Sequence, residues 1–142
     1  MASRRVARER ALQALYQAEM GTGAPEGDAL FWHHFDADEE AGTFARELVA
    51  GVRETRAEID RQLVQALEHW QLDRLARVDL SLLRLAGYEL MARPEIPVSV
   101  TIDEAVEIAR RFGSAESPAF VNGVLDRVAR TLGRKTDGEE RR

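Results

Sequence analysis

Arg4, Arg5 and Arg8, followed two turns later by Tyr16, are the side chains whose types and spacing best suit chemistry in this chain. The segment Ser3 to Met20, SRRVARERALQALYQAEM, carries Arg4, Arg5, Arg8 and Arg10 against Glu9 and Glu19, although the whole chain has a formal net charge of −5. With Ser3 read as an N-cap, a helix over roughly 4–20 follows, and its arginines crowd the positive end of the helix macrodipole. Each cation so placed is unfavourable by roughly 0.3–1 kcal/mol. An anionic ligand accounts for the placement. The planar guanidinium makes two parallel hydrogen bonds to a phosphate, and an exposed ring such as Tyr16 stacks on an unpaired base. The plainer alternative is composition, nineteen Arg against one Lys, but that leaves the concentration at one helix start unexplained.

Other chemistries find no residues to perform them. The chain has no cysteine, which removes disulfides, thiolate nucleophiles and Cys-based zinc sites. His33 and His34 are adjacent, so in a helix they point about 100° apart, whereas a metal pair wants i, i+4 spacing. Ser81, Ser99, Ser114 and Ser117 lie outside any G-x-S-x-G elbow, and the GTGAPEGD loop after Met20 lacks the Gly-Lys-Ser/Thr ending of a phosphate loop. The reading is a binding protein with no catalytic residues, metal or cofactor. No apolar run approaches the ~20 residues of a membrane span and no secretory h-region opens the chain, so a cytoplasmic location is expected.

Charge is spread unevenly. Residues 1–20 are net +2, residues 21–69 net −7 and residues 70–142 net 0. A general nucleic-acid binder is basic throughout, so this chain offers a local basic patch that a basic partner would complement. The acidic stretch 26–60 is a solvated surface or a face for such a partner.

The elements that position these groups are helical. In the first helix Ala7, Ala11, Ala14, Leu15 and Ala18 form a buried stripe, while Arg5, Arg8, Leu12 and Tyr16 occupy another face. A short helix over 28–35 carries Leu30, Phe31, Trp32 and Phe35. A third begins at Asp38–Glu40, and the capping box Thr55/Glu58 starts a fourth running to Trp70. The most apolar segment, Asp79 to Ala92, is expected to be the central helix, ended by Arg93-Pro94. Val98–Val100 is read as briefly extended, before a second capping box, Thr101/Glu104, opens a helix lined by Ile102, Ala105, Val106, Ala109 and Phe112. Ser117 as N-cap with Pro118 at the first helical position starts the last helix. There Asn122 and Gly123 are poor helix formers, explained equally by close packing or by function. About seven helices without a convincing strand give an all-α fold. It is one domain of 142 residues in two small helical lobes, about 1–70 and 71–133, with a disordered tail over 134–142.

Four motifs in register resemble the NusB family of transcription antitermination factors over nearly the whole chain. They are R-x-x-A-R-E-x-A-L-Q-A-L-Y at Arg4–Tyr16, V-D-x-S-L-L-R-L-A-x-Y-E-L at Val78–Leu90, I-P-V-x-V-T-I-D-E-A-V-E-I-A at Ile96–Ala109, and R-F-G-x-x-x-S-x-x-F-V-N-G-V-L-D at Arg111–Asp126. The resemblance implies a non-catalytic, all-helical RNA-binding protein. With NusE, a ribosomal protein, the family binds the boxA element of nascent RNA and helps the transcription elongation complex pass terminators, notably in ribosomal RNA operons. It assigns RNA contacts to Arg4, Arg5, Arg8, Tyr16, Glu116, Phe120 and Asn122, and NusE contacts to Asp73 and Asp79, in a monomer or homodimer. Val6 interrupts the arginine run. Charge reversal at Arg4, Arg5 and Arg8 together is expected to weaken boxA-like RNA binding about tenfold or more without lowering thermal stability. The alternatives are a protein-binding helical adaptor, or an RNA-binding accessory domain like that of ribosomal RNA cytosine methyltransferases, against which the absence of a following catalytic domain counts.

Overall fold

A computed structural model describes residues 2–21, 39–69 and 71–134. Their elements are α1 (Ala2–Glu19), α2 (Glu39–Ala66), a 3-10 turn at Leu72–Arg74, α3 (Arg77–Ala92), α4 (Val98–Phe112) and α5 (Ser117–Thr131). No strand occurs among the described residues, so the all-α expectation holds. The expected helix over 28–35, the His33–His34 pair, Trp70 and residues 135–142 lie outside the described residues. Among those described, no helix is long and apolar enough to cross a membrane.

Helix α3 is the axis of the molecule. Its residues are apolar almost all the way round, and those from Asp79 to Gly87, with Glu89 and Leu90, are buried. It packs against α1, α2, α4 and α5, and buried side chains from Ala7 to Ala129 form a single cluster around it. The two lobes expected on either side of residue 70 therefore share one core.

Several local expectations are corrected. Helix α1 already includes Ala2, so Ser3 lies within the helix rather than capping it. Thr55, with φ −114° and ψ 18°, is the kink at which two helical stretches of α2 meet, where a new helix was expected to start, but it is no N-cap: its Oγ1 donates to the Gly51 carbonyl at 2.7 Å. That back-bond bends the helix. Val98–Val100 are helical rather than extended, because Pro97 at the N-cap leads directly into a first turn that buries Val98. Thr101 is thus one turn inside α4 and caps nothing; its buried hydroxyl donates to Glu89 Oε1 at 3.4 Å. Ser117 is the first residue of α5, with Glu116 at the N-cap position. Its Oγ accepts the Ser114 N–H at 3.0 Å and donates to Asp79 Oδ1 at 2.7 Å, stitching α5 to the start of α3.

The end of α5 is also more ordered than a tail. Gly133 adopts φ +77°, with its N–H bonded to the Arg130 carbonyl and the Arg134 N–H to the Ala129 carbonyl, a Schellman closure that glycine accommodates without strain. The Arg134 guanidinium, expected to begin the tail, donates to the carbonyls of Leu90, Pro94 and Ile96 at 3.2, 3.3 and 2.9 Å. It holds the turn between α3 and α4.

Candidate nucleic-acid interface

Helix α1 buries more than its alanine stripe. Ala7, Ala11 and Ala14 are fully buried, as their periodicity predicts, but so are Arg8 and Leu12 on the face expected to be open. Small alanines let α2 and α3 approach closely, and the adjoining row of side chains is then covered as well. Arg8, 4% exposed, forks onto Glu89 of α3, Nε to Oε2 at 2.9 Å and Nη2 to Oε1 at 2.8 Å. Arg8, expected to contact RNA, thus has its Nε and Nη2 engaged by a buried carboxylate.

Arg4 and Arg5 remain at the surface, and each is held in place. The Arg4 guanidinium lies 4.2 Å from the centroid of the Phe44 ring, which Arg8 and Arg93 also approach, at 5.5 and 5.3 Å. Arg5, with 47% of its side chain exposed, makes a bidentate pair with Glu104 of α4 at 2.8 and 2.8 Å. Those hydrogen bonds from Arg5 hold the Glu104 carboxyl below its ordinary range, and Glu104 in turn raises Arg5 further. Across the same gap Arg111 of α4 donates to Glu9 of α1 at 2.5 Å. Part of the unfavourable dipole placement read from the sequence is thus answered inside the fold, by carboxylates that arrive from α3 and α4.

These groups line an open cleft of about 680 Å³ between α1, the turn at Glu95–Pro97 and α4. Arg4, Arg5, Arg111 and the Glu89-paired Arg8 are its basic lining residues, and Glu9, Glu95 and Glu104 supply carboxylates. The Arg5–Glu104 and Arg111–Glu9 pairs are exposed on the arginine side, so each is weak and open to exchange. An incoming phosphate can take over a bidentate site that a carboxylate already shapes.

Next to the cleft is a hollow of about 450 Å³, whose lining includes Leu12, Gln13, Tyr16, Val78 and Phe112. Glu9 lines both cavities. Tyr16 is half-buried, as a ring offered to a ligand from a packed helix should be. Phe112, expected on the core face of α4, is instead 48% exposed. It ends the helix, beyond the last residue that α3 and α5 can cover.

The remaining expected residues divide. Glu116 is exposed at the start of α5, and Phe120, one turn later on the same side, packs partly against the core. Asn122 is exposed but about 200° around the axis from Phe120, so the two do not share a face. A Cβ on Gly123 would meet nothing nearer than Arg127 Nη1 at 3.8 Å, so close packing does not require this glycine. Asp73 is exposed in the 3-10 turn. Asp79, expected to contact the partner, is buried and accepts a hydrogen bond from Ser117, a joint between α3 and α5. That joint sets Val78 of the hollow close to the start of α5. Among the described residues no group of three or more His, Cys, Asp or Glu is arranged to hold a metal ion.

Glu89, Glu104, Phe44 and Phe112 were not among the expected site residues. Arg5 is 99 positions from Glu104 and Arg8 is 81 from Glu89, distances over which local periodicity carries no signal.

A sequence model of the NusB family matches residues 5–130. The chain belongs to the NusB family. The transcription antitermination protein NusB of Sorangium cellulosum is 50% identical over 135 residues, which span 94% of this chain and 96% of the relative. The solved structure of T. maritima NusB is 40% identical, with a TM-score of 0.76 over 89% of this chain and 90% of that one. A further solved structure, of the antitermination factors NusB and NusE in complex with dsRNA, includes a chain of the same fold, with a TM-score of 0.81 at 24% identity over 92% of this chain and 98% of that one.

Proposed function

We propose that this chain is an RNA-binding transcription antitermination factor of the cytoplasm, which joins NusE on boxA-type single-stranded RNA and supports transcription through ribosomal RNA operons. The observation that carries the reading is the juxtaposition of Arg4, Arg5 and Arg111 in one cleft with Tyr16 in the hollow beside it. Guanidinium groups bind the backbone, and rings with polar neighbours read unpaired bases. Membership of the NusB family and the NusB–NusE–RNA complex of a chain with this fold support it. The work is recognition rather than catalysis. RNA contacts fall to Arg4, Arg5 and Tyr16, with Glu116, Phe120 and Asn122 towards the start of α5. The exposed Asp73 faces the basic partner.

Affinity should be modest for the chain alone, because carboxylates share the cleft, and higher once a basic protein adds its charge. Size-exclusion of the chain with NusE, with and without boxA RNA, tests the proposal. Co-elution of all three, with RNA retained better than by either protein alone, is the expected result. Co-elution with NusE and no retention of RNA would make the chain a protein adaptor instead.

A further inference from the structure

We propose that Phe112 is a base-stacking residue, and that the hollow between Tyr16 and Phe112 takes one unpaired base of a single-stranded RNA. This rests on the RNA-binding reading above and assigns a residue that the sequence placed in the core.

Phe112 stands at the end of a buried row along α4. Val98, Ile102, Ala105, Ile108 and Ala109 are all buried, and the next apolar position in the series is Phe112, at 48% exposure. The helix end leaves this ring open to solvent, where it lines the hollow with Leu12, Tyr16 and Val78. Its surroundings say which kind of ligand fits there. The Arg111 guanidinium lies 5.2 Å from the Phe112 centroid while its Nη1 is held by Glu9 of α1. A cation fixed beside a ring and lining the cleft with Arg4 and Arg5 suits a ligand that alternates phosphate with flat aromatic groups.

Continuity and shape agree. Glu9 lines both cavities, so a strand whose phosphates follow Arg4, Arg5 and Arg111 passes directly over the hollow. The hollow has apolar walls in Leu12, Val78 and the two rings, and an exposed amide, Gln13, at its margin. Glu9, Arg10 and the Tyr16 hydroxyl add further polar groups to the lining, and apolar walls with donors and acceptors beside them suit a base, whose faces are apolar and whose edge is polar.

The test is a titration of the full chain, with NusE present, against boxA RNA carrying 2-aminopurine at successive positions. For the native chain one position should change its fluorescence on binding. Phe112→Ala should weaken binding roughly 5- to 100-fold and abolish that change. Phe112→Tyr should keep both, and Phe112→Leu, which keeps apolar area without a ring to stack, should lose the fluorescence response. The dependence of affinity on salt should be the same for all four proteins, since every phosphate-binding arginine is kept. Native affinity and fluorescence in Phe112→Ala would overturn the assignment, as would loss of NusE binding with RNA binding intact. No RNA binding by the native chain in any condition would instead reject the RNA reading itself.

Discussion

Arg8 of α1 and Glu89 of α3 meet fork to fork inside the core, with both side chains almost fully buried and Thr101 adding a third hydrogen bond to the carboxylate. Removing one member of such a pair strands the other charge without water. Arg8→Ala should therefore lower unfolding free energy by about 3–5 kcal/mol in a denaturant titration, with loss of RNA affinity following only from loss of folded protein. Replacing Arg8 by Glu should be worse still. The triple charge reversal that includes Arg8 thus cannot leave thermal stability intact, which amends the expectation drawn from sequence.

Arg4→Glu with Arg5→Glu is the cleaner test of the cleft. Both side chains are exposed and their contacts are surface contacts. The double variant should melt within a few degrees of the native chain while binding boxA RNA about tenfold or more weaker. Its salt slope should fall by roughly 0.7 for each phosphate that is no longer neutralised. Parallel affinity and slope in both proteins would remove the cleft from the interface.

Glu104 occupies the place on Arg5 that a phosphate would take. Glu104→Gln frees that guanidinium and removes a like charge from the ligand's path, so RNA should bind several-fold tighter in a titration at fixed salt. In an Arg5→Ala background the gain should shrink. Weaker binding by Glu104→Gln alone would show that the carboxylate orients Arg5 for the ligand.

The same pair makes a statement about pH. Arg5 holds Glu104 below its ordinary range in the folded state, so the pair contributes stability above the unfolded carboxylate pKa of about 4.3. That contribution is lost as pH falls through the lower, folded value. Stability of the native chain should therefore decline more steeply on acidification below about pH 4.3 than that of Glu104→Gln. Thermal melts across that range compare the two.

Two glycines should respond in opposite directions. A Cβ at Gly51 would overlap the tip of the half-buried Tyr88 ring, so Gly51→Ala should destabilise by about 1–3 kcal/mol as that ring is displaced. Gly123→Ala meets open space and should stabilise by up to about 1 kcal/mol through helix propensity. If Gly123→Ala also weakens RNA binding, the glycine is kept for the ligand.

Much was legible in the sequence because it is local. The alanine stripe of α1, the all-round apolarity of α3 and the breaks at Arg93-Pro94 and Gly133 follow from helical periodicity and backbone restriction, and the structure has each of them. The misread caps have two causes. Thr55, Thr101 and Ser117 carry hydroxyls that suit an N-cap, yet each bonds elsewhere: Thr55 to the Gly51 carbonyl one turn back, a local alternative to capping, and Thr101 and Ser117 to Glu89 and Asp79, which only tertiary packing brings near.

Within the candidate site the division is sharpest along α1. The sequence by itself determined that four arginines gather at the start of one helix, that an alanine face packs inward, and that the motifs follow the order of the NusB family. Which arginines face solvent was decided by the tertiary structure, because a guanidinium goes where a carboxylate awaits it. Glu89 drew Arg8 into the core, Glu104 tethers Arg5 at the surface, and Phe44 supports Arg4. Phe112 was left outside for the complementary reason: α4 ends there, beyond the helices that bury the rest of its apolar face.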